Sequence, residues 1–244
     1  MALIAYDDTD AAAFEATRHL PGDGLAPWRE AITRHLRPRP GLRLLDLGCG
    51  TGSWTRAFGT WWPAVTVLAV DPSPAMRERS VAGPVLAGDA TRIPAADATV
   101  DAVWLSTVIH HVPDLAAAAR EIRRVLTPGG PVLIRSAFPG RHAGLTLCRY
   151  WPETAAVLDE RYPSVATVEA AFATAGFARV ALQPVTQVSA PSLAVAAAGL
   201  RREAHTLLQL ISDTAYARGV DRLREAARTV AGPQTDTLDL LVLR

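Results

Sequence analysis

Lysine is absent from the 244 residues, so all 25 basic side chains are arginine. That excludes catalysis through a lysine Schiff base and a Walker-type phosphate loop, both of which need the ε-amine. Cysteine stands only at Cys49 and Cys148, too few for a disulfide framework or a multi-cysteine zinc site, and no metal is expected. No block of like charge stands out and the formal net charge is +1, so the electrostatic footprint of a nucleic-acid binder is missing. No uninterrupted apolar run reaches about 18 residues, the length of a membrane span. Asp7, Asp8 and Asp10 break the N-terminal stretch before the apolar core of a signal peptide forms. The expectation is a cytoplasmic protein with a small-molecule partner, no nucleic acid and no membrane. The arginine bias, with abundant Ala, Pro and Gly, reads as a GC-rich coding sequence rather than as function.

What is present starts with Leu44-Leu45-Asp46-Leu47-Gly48-Cys49-Gly50-Thr51-Gly52, an apolar run that breaks into a glycine loop. An apolar run bounded by glycine reads as a buried strand ending in a tight turn, and residues 53–58 open a helix. The loop sits at a strand's C-terminal end, where open α/β sheets bind ligands. Three positions without side chains let a ligand lie on the backbone. The spacing is Gly-x-Gly-x-Gly, with Ser53 where the dinucleotide fingerprint has its third glycine, so a nicotinamide reading weakens.

Hydrophobic content of 49% over this length supports a sizeable core. Strands are predicted at 64–70, 84–87, 100–107, 132–135, 177–188 and 237–243, the 177–188 run at an edge or bulge because it contains Pro184. Helices are predicted at 73–80, at 115–126 before the turn Thr127-Pro128-Gly129-Gly130, and at 164–175 with Ser164 as N-cap and Gly176 as stop. Strands separated by helices imply an α/β, doubly wound, mostly parallel sheet. Residues 6–36 read as helices broken at Pro21-Gly22-Asp23-Gly24, either covering the ligand or packing on the sheet. Residues 140–163 read as a lid or substrate loop, and 192–229 as largely helical, interrupted at Gly219. The expected organisation is an N-terminal helical cap at 1–40 and one Rossmann-like domain at 41–244, with acceptor-side insertions near 140–163 and 192–229.

Four segments in order, LLDLGCGTG, AVDPS, GDATRIP, and VDAVWLSTVIHHVPD paired with RVLTPGGPVLI, resemble the class I methyltransferases that use S-adenosylmethionine. The resemblance is to the small-molecule group related to quinone-biosynthesis methyltransferases, and it is close over residues 42–135. It implies a seven-stranded sheet, S-adenosylmethionine as cofactor, and methyl transfer to a small molecule, with oxygen as acceptor atom ahead of carbon or nitrogen. Members of this fold also use the bound cofactor for cyclisation or decarboxylation, and a non-catalytic binding protein is a third reading.

By the same resemblance the donor's amino acid end lies on Gly48, Cys49, Gly50 and Gly52. Asp46 organises the loop and the donor's amino group, because an acid inside an apolar strand needs a partner. Asp71 accepts from both ribose hydroxyls, a carboxylate having room for two such bonds, and a role as helix N-cap is compatible with that. Pro72 and Met76 pack the adenine edge, and Asp89 with Ala90 reads the adenine, the alternative for Asp89 being a solvated turn. Cys49 reads as a small spacer. Tyr6, Phe14 and Arg18 resemble a cap in which an aromatic closes over the donor and an arginine meets its carboxylate; an exposed helix arginine is the plain alternative. Ser106 is placed at the cofactor, and His110 and His111 follow the fourth strand as candidates for general base. His110 is favoured in the pocket with His111 as support, beside the option that proximity alone drives the reaction. The Asn/Asp-Pro-Pro-Tyr type of sequence used on DNA bases is missing at this point. Arg141, Arg149 and Tyr150, with His142 and Trp151 nearby, are candidates for acceptor binding, arginine suiting an anion.

Overall fold

The computed structural model describes residues 22–244, with Thr9 and Ala12 before them. Tyr6, Phe14 and Arg18 lie outside the described residues.

The strands β1 (Arg43–Leu47), β4 (Ala102–Ser106) and β5 (Val132–Ser136) are short, dense in apolar side chains and almost wholly buried, as strands covered on both faces must be. With β2 (Thr66–Asp71), β3 (Leu86–Ala87), β6 (Arg179–Ala190) and β7 (Gln234–Leu243) they form one seven-stranded sheet in the order β3-β2-β1-β4-β5-β7-β6. Strands β1 to β5 pair in parallel, and β7 runs antiparallel between β5 and β6. The fold is therefore the mostly parallel, Rossmann-like sheet expected. Pro184 sits on the edge strand β6, where its missing N–H breaks no central ladder. Because β1 lies between β2 and β4, the strand order reverses there, and the crevice at the C-terminal ends of these strands is the natural ligand position.

Helix α1 (Gly22–Leu36) starts inside the predicted break, and α2 (Ser53–Trp61) follows the glycine loop. Both cover one sheet face, where Trp28, Ile32 and Phe58 pack against Leu42, Leu44, Trp104 and Leu133. Phe58 is fully buried and contributes on the order of 2–3 kcal/mol by removal from water. Helix α3 (Pro74–Glu78) begins after Ser73, whose hydroxyl accepts from the Met76 N–H. The other face is covered by α4 (Leu115–Val125) and α7 (Val165–Ala173), through Ala118, Ile122, Val168 and Phe172. Asp114 and Ser164 cap these two helices, each accepting from a first-turn N–H.

Residues 140–163 contain α5 (Thr146–Tyr150) and α6 (Glu153–Arg161) rather than an open loop. Further on come α8 (Leu193–Gly199), α9 (Thr206–Gln209) and α10 (Asp213–Ala226). The expected interruption at Gly219 is not there: α10 runs through it. A Cβ at Gly219 would stand 2.0 Å from Nε1 of Trp151, so this glycine makes room for an indole that donates to the Tyr216 carbonyl. The breaks fall instead at 200–205 and 210–212. Tyr150, Trp151, Leu193, Leu208 and Leu223 form a separate core beneath these helices. Among the described residues no helix is long and apolar enough to cross a membrane.

Candidate functional site

At the end of β1 the chain turns upward through Gly48, whose N–H donates to the Val70 carbonyl, as does that of Cys49. Gly48 holds φ +73°, and a Cβ there would meet the Val108 methyl groups at 2.6 and 2.8 Å. The space is thus taken by a side chain from the segment after β4, not by a ligand. Gly52 holds φ +82° at the start of α2, and a Cβ there would touch Ala82 at 3.0 Å. Two of the three loop glycines accordingly have conformational and packing reasons of their own.

The third lies against Asp71. The Gly50 N–H donates to Asp71 Oδ2 at 2.8 Å and the Ser73 N–H to Oδ1 at 2.9 Å. Asp71 thereby couples the glycine loop to the β2–α3 turn, while Ser73, not Asp71, caps α3. Each oxygen has a second lone pair, leaving capacity for two further donors. Burial pushes the Asp71 carboxyl above its ordinary range, against the pull of the two N–H groups and the Arg77 charge. Asp46 lies deeper, 1% exposed, with Oδ2 accepting from the Thr55 hydroxyl at 2.6 Å. Burial raises its carboxyl to about 7, opposed by the Thr55 hydrogen bond and reinforced by the Asp71 charge. Cys49 is buried and its thiol is pushed up by burial and by the two carboxylates, so it stays protonated, which fits a spacer.

One strand further out, Ala87 is in register with Asp71, and Asp89 closes the next turn. Its Oδ1 accepts from the Thr91 N–H, the Thr91 hydroxyl and the Arg92 N–H, which fixes the carboxylate of this exposed residue. Ala90, Ile93 and Met76 are buried, while Pro72 is exposed. The segment after this turn is pinned from below by Arg124, which donates to the carbonyls of Ile93 and Ala95 and pairs with Glu121 and Asp97.

After β4, Thr107 adopts φ +56°, a left-handed conformation that a β-branched residue takes only at a cost of about 1–3 kcal/mol. The turn throws Val108 onto Gly48 and starts a single 3-10 turn at Ile109–His111. His110 is buried, its ring stacked on Tyr162 with centroids 3.9 Å apart and planes 8° apart, and 4.1 Å from the His111 ring. Burial holds the His111 imidazole down at about 4, so it is neutral at physiological pH. Ser106 Oγ accepts from Arg135 at 3.2 Å. Arg135, itself buried on β5, also donates to Gln187 Oε1 at 2.8 Å and lies over the rings of Trp28 and Trp54.

The glycine loop, Asp46, Asp71, the Asp89 turn, Ser106, His110 and His111 therefore meet along one edge of the sheet. The acceptor-side candidates do not join them in the same way. Arg141 forks onto both oxygens of the buried Asp239, each at 2.7 Å, and so ties its loop to β7. His142 contacts Asp159 at 3.1 Å, Arg149 is exposed on α5, and the Tyr150 and Trp151 rings fill the separate helical core. Sequence reasoning did not pick out Thr55, Val108, Arg135 or Tyr162. Only Arg135 carried a signal, a charge inside an otherwise apolar strand, which is costly unless bonded.

Residues 45–134 match the family model described as "Methyltransferase domain". A malonyl-[acyl-carrier protein] O-methyltransferase of Erwinia pyrifoliae is 40% identical over 118 residues, covering 46% of this chain and 43% of that protein. A demethylmenaquinone methyltransferase of Corynebacterium kroppenstedtii is 38% identical over 111 residues, covering 44% and 47%. The chain thus spans less than half the length of these curated relatives. Among solved structures, one described as a methyltransferase from an antibiotic biosynthesis pathway of Anabaena variabilis aligns with a TM-score of 0.68 at 18% identity, covering 92% of this chain and all of that one. The matched segment runs from β1 to β5 and contains the glycine loop, Asp71, Asp89 and both histidines. Residues 45–134 are thus similar to the methyltransferase domain family, within a chain that has the Rossmann-like methyltransferase fold.

Proposed function

We propose that the protein is an S-adenosylmethionine-dependent methyltransferase that methylates an oxygen atom of a small-molecule acceptor. The observation that carries the reading is Asp71: a buried carboxylate at the end of β2, oriented by one backbone N–H from the glycine loop and one from the next turn, with two lone pairs left for a pair of hydroxyls. The donor set along the edge fits the rest of the cofactor. Asp89 would accept from the adenine amine while the Ala90 N–H would meet a ring nitrogen, Met76 would pack the ring, and Asp46 would serve the amino group through the loop. Bound S-adenosylmethionine supplies a sulfonium whose methyl carbon is open to in-line displacement.

The chain's own residues orient the acceptor, exclude water and take a proton. With the cofactor bound, His110 would take up the proton that the acceptor hydroxyl loses on methylation. Neutral His111 beside it adds no opposing charge. An oxygen acceptor agrees with the O-methyltransferase among the relatives and with an imidazole at the edge. Segments 140–163 and 192–229 shape the acceptor's place. The test is incubation with methyl-labelled S-adenosylmethionine and a panel of carboxylic acids, phenols and quinols. Label should appear in an ester or ether with a mass gain of one methyl group; transfer only to carbon or nitrogen would overturn the choice of oxygen.

A further inference from the structure

Tyr162 comes from the α6–α7 connection, 52 positions after His110 in the chain, and no feature of the methyl-transfer chemistry requires it. It is nonetheless 9% exposed and lies flat on the His110 ring at 3.9 Å. Its N–H donates to the Leu158 carbonyl, which closes α6 and fixes the ring's place at the end of the 140–163 segment. Among the described residues, the titratable rings set against His110 are His111, on the same 3-10 turn, and Tyr162 from this separate element. A near-parallel aromatic face holds an imidazole in one plane and attracts it more strongly once it carries a proton.

We propose that Tyr162 is a positioning residue for His110, whose stacked ring fixes the imidazole plane and stabilises the imidazolium formed when the acceptor's proton is taken up. The proposal rests on the methyltransferase reading for what the proton transfer serves, but the stack itself is tested without an acceptor. The contact also links the acceptor-side segment to the base, so a change at 140–163 reaches proton transfer through this ring.

The experiment is an NMR titration of imidazole carbons in the full-length protein, with the His110 signal identified by its loss in His110→Gln. Wild type and Tyr162→Phe should titrate at the same pH, because both present a ring. Tyr162→Leu, which keeps bulk but not the π face, should titrate lower by about half a pH unit or more. An unchanged His110 midpoint in Tyr162→Leu would overturn the proposal. Should Tyr162→Leu fail to fold, Tyr162→Phe still decides: a lowered midpoint there would assign the effect to the hydroxyl and overturn the stack. Failure of the wild type to bind S-adenosylhomocysteine would instead overturn the methyltransferase reading and leave the midpoint comparison intact.

Discussion

Asp46 and Asp71 flank one loop and meet opposite demands. For Asp46 the folded-state value of about 7 lies well above the ordinary carboxylate range, so the folded chain keeps a proton that the unfolded chain releases between these limits. Its contribution to stability is full below about pH 4 and is lost as the pH rises through about 7. A cationic amino group on the ligand asks for the ionised form, so affinity runs the other way. Between pH 6 and 8 the thermal midpoint of the free protein should fall while calorimetric affinity for S-adenosylhomocysteine rises severalfold. Asp46→Asn should flatten both trends, and an unaltered pH dependence in that variant would remove Asp46 from the role. At this scale the sequence was readable where chemistry dictates residue type. The two acids, the glycines and the histidine pair stand out because few residues serve those tasks. Tyr162 and Thr55 were not readable, since an aromatic or a threonine at those positions fits a dozen environments and its partner lies far away in the chain.

Between elements, the segment after β4 and the glycine loop pack together through Val108 and Gly48. Gly48→Ala forces a Cβ into Val108 at 2.6 Å from a backbone with φ +73°, which should cost about 2 kcal/mol or more in chemical denaturation. Val108→Ala should recover part of that loss in the double variant, a coupling that independent sites would not show. Gly219→Ala is a second case: helix propensity alone would favour alanine by about 1 kcal/mol. The Trp151 indole at 2.0 Å reverses the sign, so the variant should melt lower, and Trp151→Leu in the same chain should restore the expected gain. A glycine in a helical pattern reads as a break from sequence alone. Here the reason for it was an indole 68 positions away, which no local pattern reports.

Across the whole molecule, one buried arginine draws the elements together: Arg135 on β5 reaches Ser106 on β4 and Gln187 on β6, under Trp28 of α1 and Trp54 of α2. Trp28 Nε1 shares Gln187 Oε1 at 2.6 Å, so the helix over the sheet and the edge strand meet at one acceptor. The parallel core and the edge position of Pro184 were legible from period and punctuation because they depend on local pattern and on handed crossovers. The separate core under α8 to α10 and the ion pair of Arg141 with Asp239 were not, because pairing between elements far apart in the chain leaves no period in it. At the centre of the proposed function, Asp71 holds the ribose of S-adenosylmethionine. Calorimetry with S-adenosylhomocysteine tests it most directly: one molecule should bind per chain, with Asp71→Ala weakening the affinity by at least about tenfold, equivalent to 1.4 kcal/mol. No binding to the wild type at millimolar ligand, or equal affinity in Asp71→Ala, would contradict it.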